Sequence, residues 1–110
     1  MTPETCAKEL ARIWGDGLRT VVLYGAAASG DHRHDSDYNL LLVVDRIDPA
    51  RVRAAARVAG DWAKAGNPAP LLMTPDFLAD SADVYPLEWL DILDHHRVLA
   101  GEDLVAGLKV

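Results

Sequence analysis

The chain has 110 residues, half of them apolar and a quarter charged, which suits one globular domain over 1–110 and a core that needs no cross-links. The net charge of −6 repels a polyanion and argues against duplex nucleic acid as a partner. A single cysteine, Cys6, rules out an internal disulfide and fits a reducing cytoplasm. No apolar run approaches the ~20 residues of a membrane span, and the first ten residues lack a signal-peptide pattern.

Thr2-Pro3 predicts a helix start, with Thr2 as N-cap and Pro3 at the first helical position. Cys6, Leu10, Ile13 and Trp14 then fall on one face, and Gly15-Asp16-Gly17 ends the helix. The β-branched run 18–24 predicts a buried strand. A small-residue turn (25–30) and a polar loop (31–37) lead into a second strand over 38–44. That strand is nearly all apolar, so both faces of its sheet should be covered.

Asp48-Pro49 opens a crossover helix whose expected buried stripe is Val52, Ala55, Ala56, Ala59, Trp62 and Ala63. Arg51, Arg53, Arg57 and Lys64 mostly lie away from that stripe, as a solvated face. Gly66-Asn67-Pro68 closes the helix. A third strand is expected over 69–73, incompletely paired because of Pro70. Thr74-Pro75 starts a helix to about Asp80. Another helix follows over 86–96, with Leu87, Leu90 and Leu93 at helical spacing. Residues 97–101 form a last short strand. The alternation predicts an α/β domain: a small mixed β-sheet flanked by helices.

Chemistry concentrates in 24–45. Gly25 and Gly30 bound a turn whose backbone N–H groups can cradle an anion. Asp37 and Asn39 are two apart and project from one strand face. Two carboxylates so placed would hold Mg²⁺ shared with substrate phosphates. Other readings stay secondary. His32 and His34, with Asp31 or Asp35, have the donor types of a transition-metal site but lie in a polar loop. His95 and His96 beside Arg97 suit a helix C-terminus. Cys6 faces the core.

The order Tyr24-Gly25, Ala28, Gly30, Ser36-Asp37-x-Asn39-Leu40-Leu41 resembles the signature of the DNA polymerase beta-like nucleotidyltransferase superfamily, particularly its small prokaryotic and kanamycin-type members. The closing segment 86–103 resembles the last helix and strand of the same minimal domain. The resemblance implies a minimal nucleotidyltransferase-like fold, with Gly25, Ala26, Gly30 and Ser36 at the nucleotide and Asp37, the catalytic carboxylate, at Mg²⁺. It also exposes departures. Ala26 stands where the family's turn serine binds triphosphate, a lost charge-assisted bond worth roughly 1.5–3 kcal/mol. Asn39 replaces the second aspartate. The third family acid comes from the strand after the crossover helix, and 68–73 contains none. Asp35 could pair with Asp37 in a shifted arrangement, and Glu88 or Asp91 could supply a third carboxylate.

The leading expectation is therefore a degenerate member, with weak or absent nucleotidyl transfer and weak Mg²⁺ dependence, retaining a nucleotide- or partner-binding role. The alternatives are an active enzyme moving a nucleoside monophosphate from NTP to a small molecule or protein, and an interaction module such as a toxin–antitoxin component. A partner protein, a second copy or a further C-terminal region is expected to cover an apolar patch around Trp89, Leu90 and Leu93.

Overall fold

The structure, a computed structural model, describes residues 1–25, 28 and 38–109. Helix α1 is Pro3–Trp14, capped by the Thr2 hydroxyl accepting from the Thr5 N–H, and a 3-10 turn over Gly15–Gly17 delivers the chain to β1, Leu18–Tyr24. Strand β2 is Asn39–Val44 and helix α2 is Pro49–Lys64, with the Asp48 carboxylate capping the first turn. Strand β3 is Leu71–Met73, α3 is Pro75–Val84, α4 is Pro86–Asp94 and β4 is His96–Gly101.

The sheet order is β3-β2-β1-β4. Strand β1 pairs antiparallel with both β2 and β4, and β3 joins β2 in parallel through the α2 crossover. The α/β class and the small mixed sheet expected from the sequence are both present.

Both faces of the sheet are covered, which is why β1 and β2 read as continuous apolar runs. On one face, Val21, Leu23, Leu40, Leu42 and Val44 pack against Cys6, Leu10 and Trp14 of α1 and Val58 and Trp62 of α2. On the other, Val22, Leu41 and Val43 meet Leu78 and Ala82 of α3, Trp89 of α4, and Val105 from a closing turn after β4. Gly101 ends β4 at φ +80, and a Cβ there would lie 2.1 Å from the Arg19 carbonyl oxygen. Only glycine permits that strand to close so tightly on β1.

Several boundaries and stripes differ from expectation, each for a packing reason. In α2, Ala56 and Ala63 are exposed and Val58 is buried. The true stripe is Val52, Ala55, Val58, Ala59 and Trp62, because Val and Trp cover more apolar area than alanine and set the helix's rotation. Helix α3 continues to Val84 because Ala82 packs into the core, and it stops where Pro86 disfavours helix at the residue before it. In α4 the inward residue is Trp89, flanked by Ile92 and Leu93, whereas Leu87 and Leu90 face outward. Trp89 is thus core, and its indole N–H donates to the Ser81 hydroxyl at 2.9 Å. It is no part of an exposed patch.

Candidate functional site

The end of β1 and the start of β2 form one corner of the sheet. Tyr24 and Asn39 are cross-strand partners, and on the other side Tyr24 pairs with His96. Side chains alternate along a strand, so Tyr24, Asn39 and His96 form a row on the α3/α4 face, the face of Leu41 and Val43.

Gly25 continues from this row at φ +87. Its N–H donates to the His95 carbonyl at 3.1 Å, and its own carbonyl accepts from the Ala28 N–H at 3.1 Å. A Cβ on Gly25 would lie 3.2 Å from the Asn39 side-chain amide nitrogen. The left-handed backbone favours glycine here, and a Cβ would also press on the Asn39 amide, which would have to shift by a few tenths of an ångström. The structure brings Gly25 and Asn39 together. Ala26, Gly30, Asp35, Ser36 and Asp37 lie outside the described residues, as do Asp31, His32 and His34.

Three features around this corner were not read from the sequence. Asn67, nearly buried after α2, accepts the Tyr38 N–H on Oδ1 at 2.9 Å and donates from Nδ2 to the Trp62 carbonyl at 3.4 Å. It ties the end of α2 to the residue between Asp37 and Asn39. The Trp62 ring lies beside Tyr38, with centroids 6.1 Å apart, and its indole N–H has no hydrogen-bond partner among the described residues. The only sequence signal for Asn67 was its place beside a helix-closing glycine, which reads as turn chemistry.

The second is the His96–Asp103 pair. His96 Nδ1 donates to the Leu93 carbonyl at 2.8 Å, and Nε2 lies 2.9 Å from the Asp103 carboxylate. Both ring nitrogens face acceptors, so only the imidazolium satisfies them. Burial opposes that charge, but the hydrogen bond to Asp103 and the Leu93 and Ile92 carbonyls outweigh it, and the pKa of His96 is raised. Burial likewise opposes the Asp103 charge, yet the Ala106 N–H and His96 hold its carboxyl below the usual range. The expected cation at this helix C-terminus is His96. Seventeen acidic residues offer many partners, and sequence spacing does not single out Asp103.

The third is Leu71. It pairs with Leu41 in the parallel β2–β3 ladder, so it shares the face of Asn39, and it is exposed while its neighbour Leu72 packs into the α1/α2 side. The strand that would carry a third carboxylate thus turns one apolar residue toward this face. Glu88 and Asp91 are exposed on α4. Among the described residues no group of three or more His, Cys, Asp or Glu is placed to hold a metal. Of the described residues at this corner, Asn39 offers as an oxygen ligand only one neutral carbonyl, and β3 offers no carboxylate.

A groove of about 780 Å³ lies elsewhere, between α1 and α2 on the opposite face of the sheet, lined in part by Arg12, Arg53, Arg57, Glu9 and Asp61. No helix among the described residues is long and apolar enough to cross a membrane.

No protein-family model matches the chain, and no curated protein matches it. Solved structures do. A chain of a toxin–antitoxin structure with AMP-PNP superposes with a TM-score of 0.55 at 18% identity, over 91% of this chain and 74% of that one. A chain of an MntA toxin–antitoxin mutant, in which two aspartates two positions apart are replaced by glutamate, gives 0.55 at 18% over 94% and 76%. A chain from the tri-AMPylated HEPN toxin of Shewanella oneidensis in complex with MNT antitoxin gives 0.50 at 18% over 96% and 75%. At that identity the likeness shows the fold alone: this chain shares the α/β architecture of those toxin–antitoxin chains.

Proposed function

We propose that this chain is a nucleotidyltransferase-fold protein that binds nucleotide at the Gly25–Asn39 corner with little help from Mg²⁺, carries out little or no nucleotidyl transfer, and works in the cytoplasm with a partner protein, in the manner of a toxin–antitoxin component. The observation that carries this reading is Asn39. It opens β2 beside Tyr24 with its amide against the Gly25 turn, where the resembled signature has an aspartate. An amide offers a phosphate an N–H donor, and it offers a metal one neutral oxygen. The corner therefore suits a phosphate group better than a pair of divalent ions. Gly25, Ala26, Gly30 and Ser36 would line the phosphate side, with Asp37, and more weakly Asp35, as the remaining acids. The pairing with a partner draws support from the structural neighbours, which are toxin–antitoxin complexes.

A second reading has a specific observation behind it. One neighbour was solved with AMP-PNP, and another contains an AMPylated toxin. On that reading this chain transfers a nucleoside monophosphate to a protein, using Asp37 and an unusual second ligand.

Calorimetric titration with ATP, with and without Mg²⁺, separates the two. The proposal expects a weak affinity that Mg²⁺ changes by less than about threefold, under 0.7 kcal/mol. Binding that requires Mg²⁺ and disappears with EDTA would favour the enzyme, and no binding in either condition would leave only the partner role.

A further inference from the structure

We infer that the outer face of the α3–α4 hairpin is the docking surface for a different protein, one that presents an apolar helix bordered by lysine or arginine. The inference names the surface and chemistry of the partner in the reading above and rests on that reading for there being a partner at all.

Among the described residues, eight large apolar side chains are exposed, and five of them lie in this hairpin: Phe77, Val84, Tyr85, Leu87 and Leu90. Leu87 is 76% exposed and Val84 66%, so neither is a core residue at an edge. Val84, Tyr85 and Leu87 surround the corner between the helices. Phe77 lies two turns back along α3, and Leu90 one turn on along α4. The corner is held rigid from beneath, by Trp89 donating to Ser81 and by the Trp89 N–H on the Tyr85 carbonyl. A fixed scaffold presenting two aromatic and three aliphatic side chains is the composition of an interface centre.

Charge identifies the occupant. From residue 65 to residue 96 the chain has no lysine or arginine. The same hairpin carries Asp76, Asp80, Asp83, Glu88, Asp91 and Asp94, all exposed, none in an ion pair among the described residues. A second copy docking through this face would set six carboxylates against six, and like charges facing across an interface oppose association. An anionic membrane is repelled for the same reason. A partner with an apolar stripe and a cationic rim is attracted over distance and buries the stripe on contact. Arg51, Arg53, Arg57 and Lys64 sit on α2 across the sheet, and Lys109, a cation beside the hairpin that shares a groove with Ala79, Ala82 and Asp83, makes no ion pair with it among the described residues.

The test uses the whole chain and three fluorescein-labelled peptides of about 18 residues, five helical turns. One patterns leucine and lysine as an amphipathic helix, one has the same composition with the apolar stripe scrambled, and one replaces lysine by glutamate. Fluorescence anisotropy should show the amphipathic cationic peptide binding at least roughly tenfold tighter than the scrambled one, with no binding of the glutamate peptide. Phe77→Ser with Leu87→Ser should remove that preference while circular dichroism stays native. Asp80→Asn with Asp83→Asn should weaken binding and flatten its salt dependence. Equal binding of patterned and scrambled peptides, or a preference that survives Phe77→Ser with Leu87→Ser, overturns the inference. So does a micromolar dimer in sedimentation that Leu87→Ser dissolves, because the occupant is then a second copy. ATP titration of the Phe77/Leu87 variant keeps the two proposals separate, since neither residue lies at the Gly25–Asn39 corner.

Discussion

Asn67 holds the start of β2, and removing it should be felt both in stability and at the candidate site. Asn67→Ala deletes the 2.9 Å bond from the Tyr38 N–H and the longer 3.4 Å bond to the Trp62 carbonyl. A typical hydrogen bond contributes about 1 kcal/mol net, and a donor left unpaired away from water costs about 1–3 kcal/mol. The 3.4 Å contact is near the limit of a useful bond, so it adds little. The expected loss is about 2 kcal/mol. For 110 residues the unfolding entropy is about 0.23 kcal/mol per kelvin, which converts that loss to a fall of about 9 °C in Tm. Urea denaturation and calorimetry measure both quantities. Amide hydrogen exchange adds a local readout. The Tyr38 N–H should be protected in the wild type, remain protected in Asn67→Asp, which keeps the acceptor oxygen, and exchange quickly in Asn67→Ala. A loss below about 0.5 kcal/mol with unchanged Tyr38 exchange would refute the idea that this side chain pins the strand.

Other expectations follow from single contacts. Gly101→Ala forces a Cβ to within 2.1 Å of the Arg19 carbonyl at φ +80, and should cost about 3 kcal/mol or more, read from the urea midpoint. Cys6 is fully buried, and burial, helped by the charge of Glu9, pushes its thiol up to about 11; a disulfide exchange reagent at pH 8 should label it only at the rate of unfolding. The His96–Asp103 pair makes stability depend on pH in a definite sense. The raised His96 pKa gives stabilisation that is complete below about 6.5 and is lost as pH rises through the folded value, while the lowered Asp103 pKa gives stabilisation complete above about 3.9 and lost as pH falls. The difference in Tm between wild type and His96→Gln should therefore be largest between about pH 4 and 6.5 and shrink above it; a difference that grows toward pH 9 would contradict the imidazolium assignment.

Much of the fold was legible because it rests on local rules. Thr2, Asp48 and Thr74 each precede a proline, and each caps a helix in the structure. The unbroken apolar runs in β1 and β2 announced a sheet covered on both sides. The errors came where helical spacing alone was used. It placed Ala56 and Ala63 in the buried stripe of α2, and it left Trp89 in an exposed patch with Leu90 and Leu93, whereas the space beneath α4 takes Trp89 into the core and leaves Leu90 exposed. At the site, the sequence showed a glycine turn after β1 and a polar residue opening β2, and the structure places Gly25 against Asn39 because both lie at the same end of that strand pair. Asn67, Leu71 and Asp103 were not, since each reaches the corner's surroundings through tertiary contacts between segments distant in sequence. Leu71 also answers a question the sequence leaves open: in this strand, position 71 faces the Asn39 side of the sheet and position 72 faces the core.

The central claim is that the corner lacks the parts for transfer, and label transfer from [α-³²P]ATP with Mg²⁺ tests it most directly. Each missing part can cost orders of magnitude in rate, and parts that act as a unit are strongly non-additive. Wild type should stay at background with small hydroxyl, amine and protein acceptors. Asn39→Asp should tighten Mg²⁺ binding and leave transfer at background. Ala26→Ser, Asn39→Asp and Leu71→Asp together should be the first combination with measurable turnover. Transfer by the wild-type chain that Asp37→Ala abolishes would contradict the account and identify the corner as a working variant of the nucleotidyltransferase site.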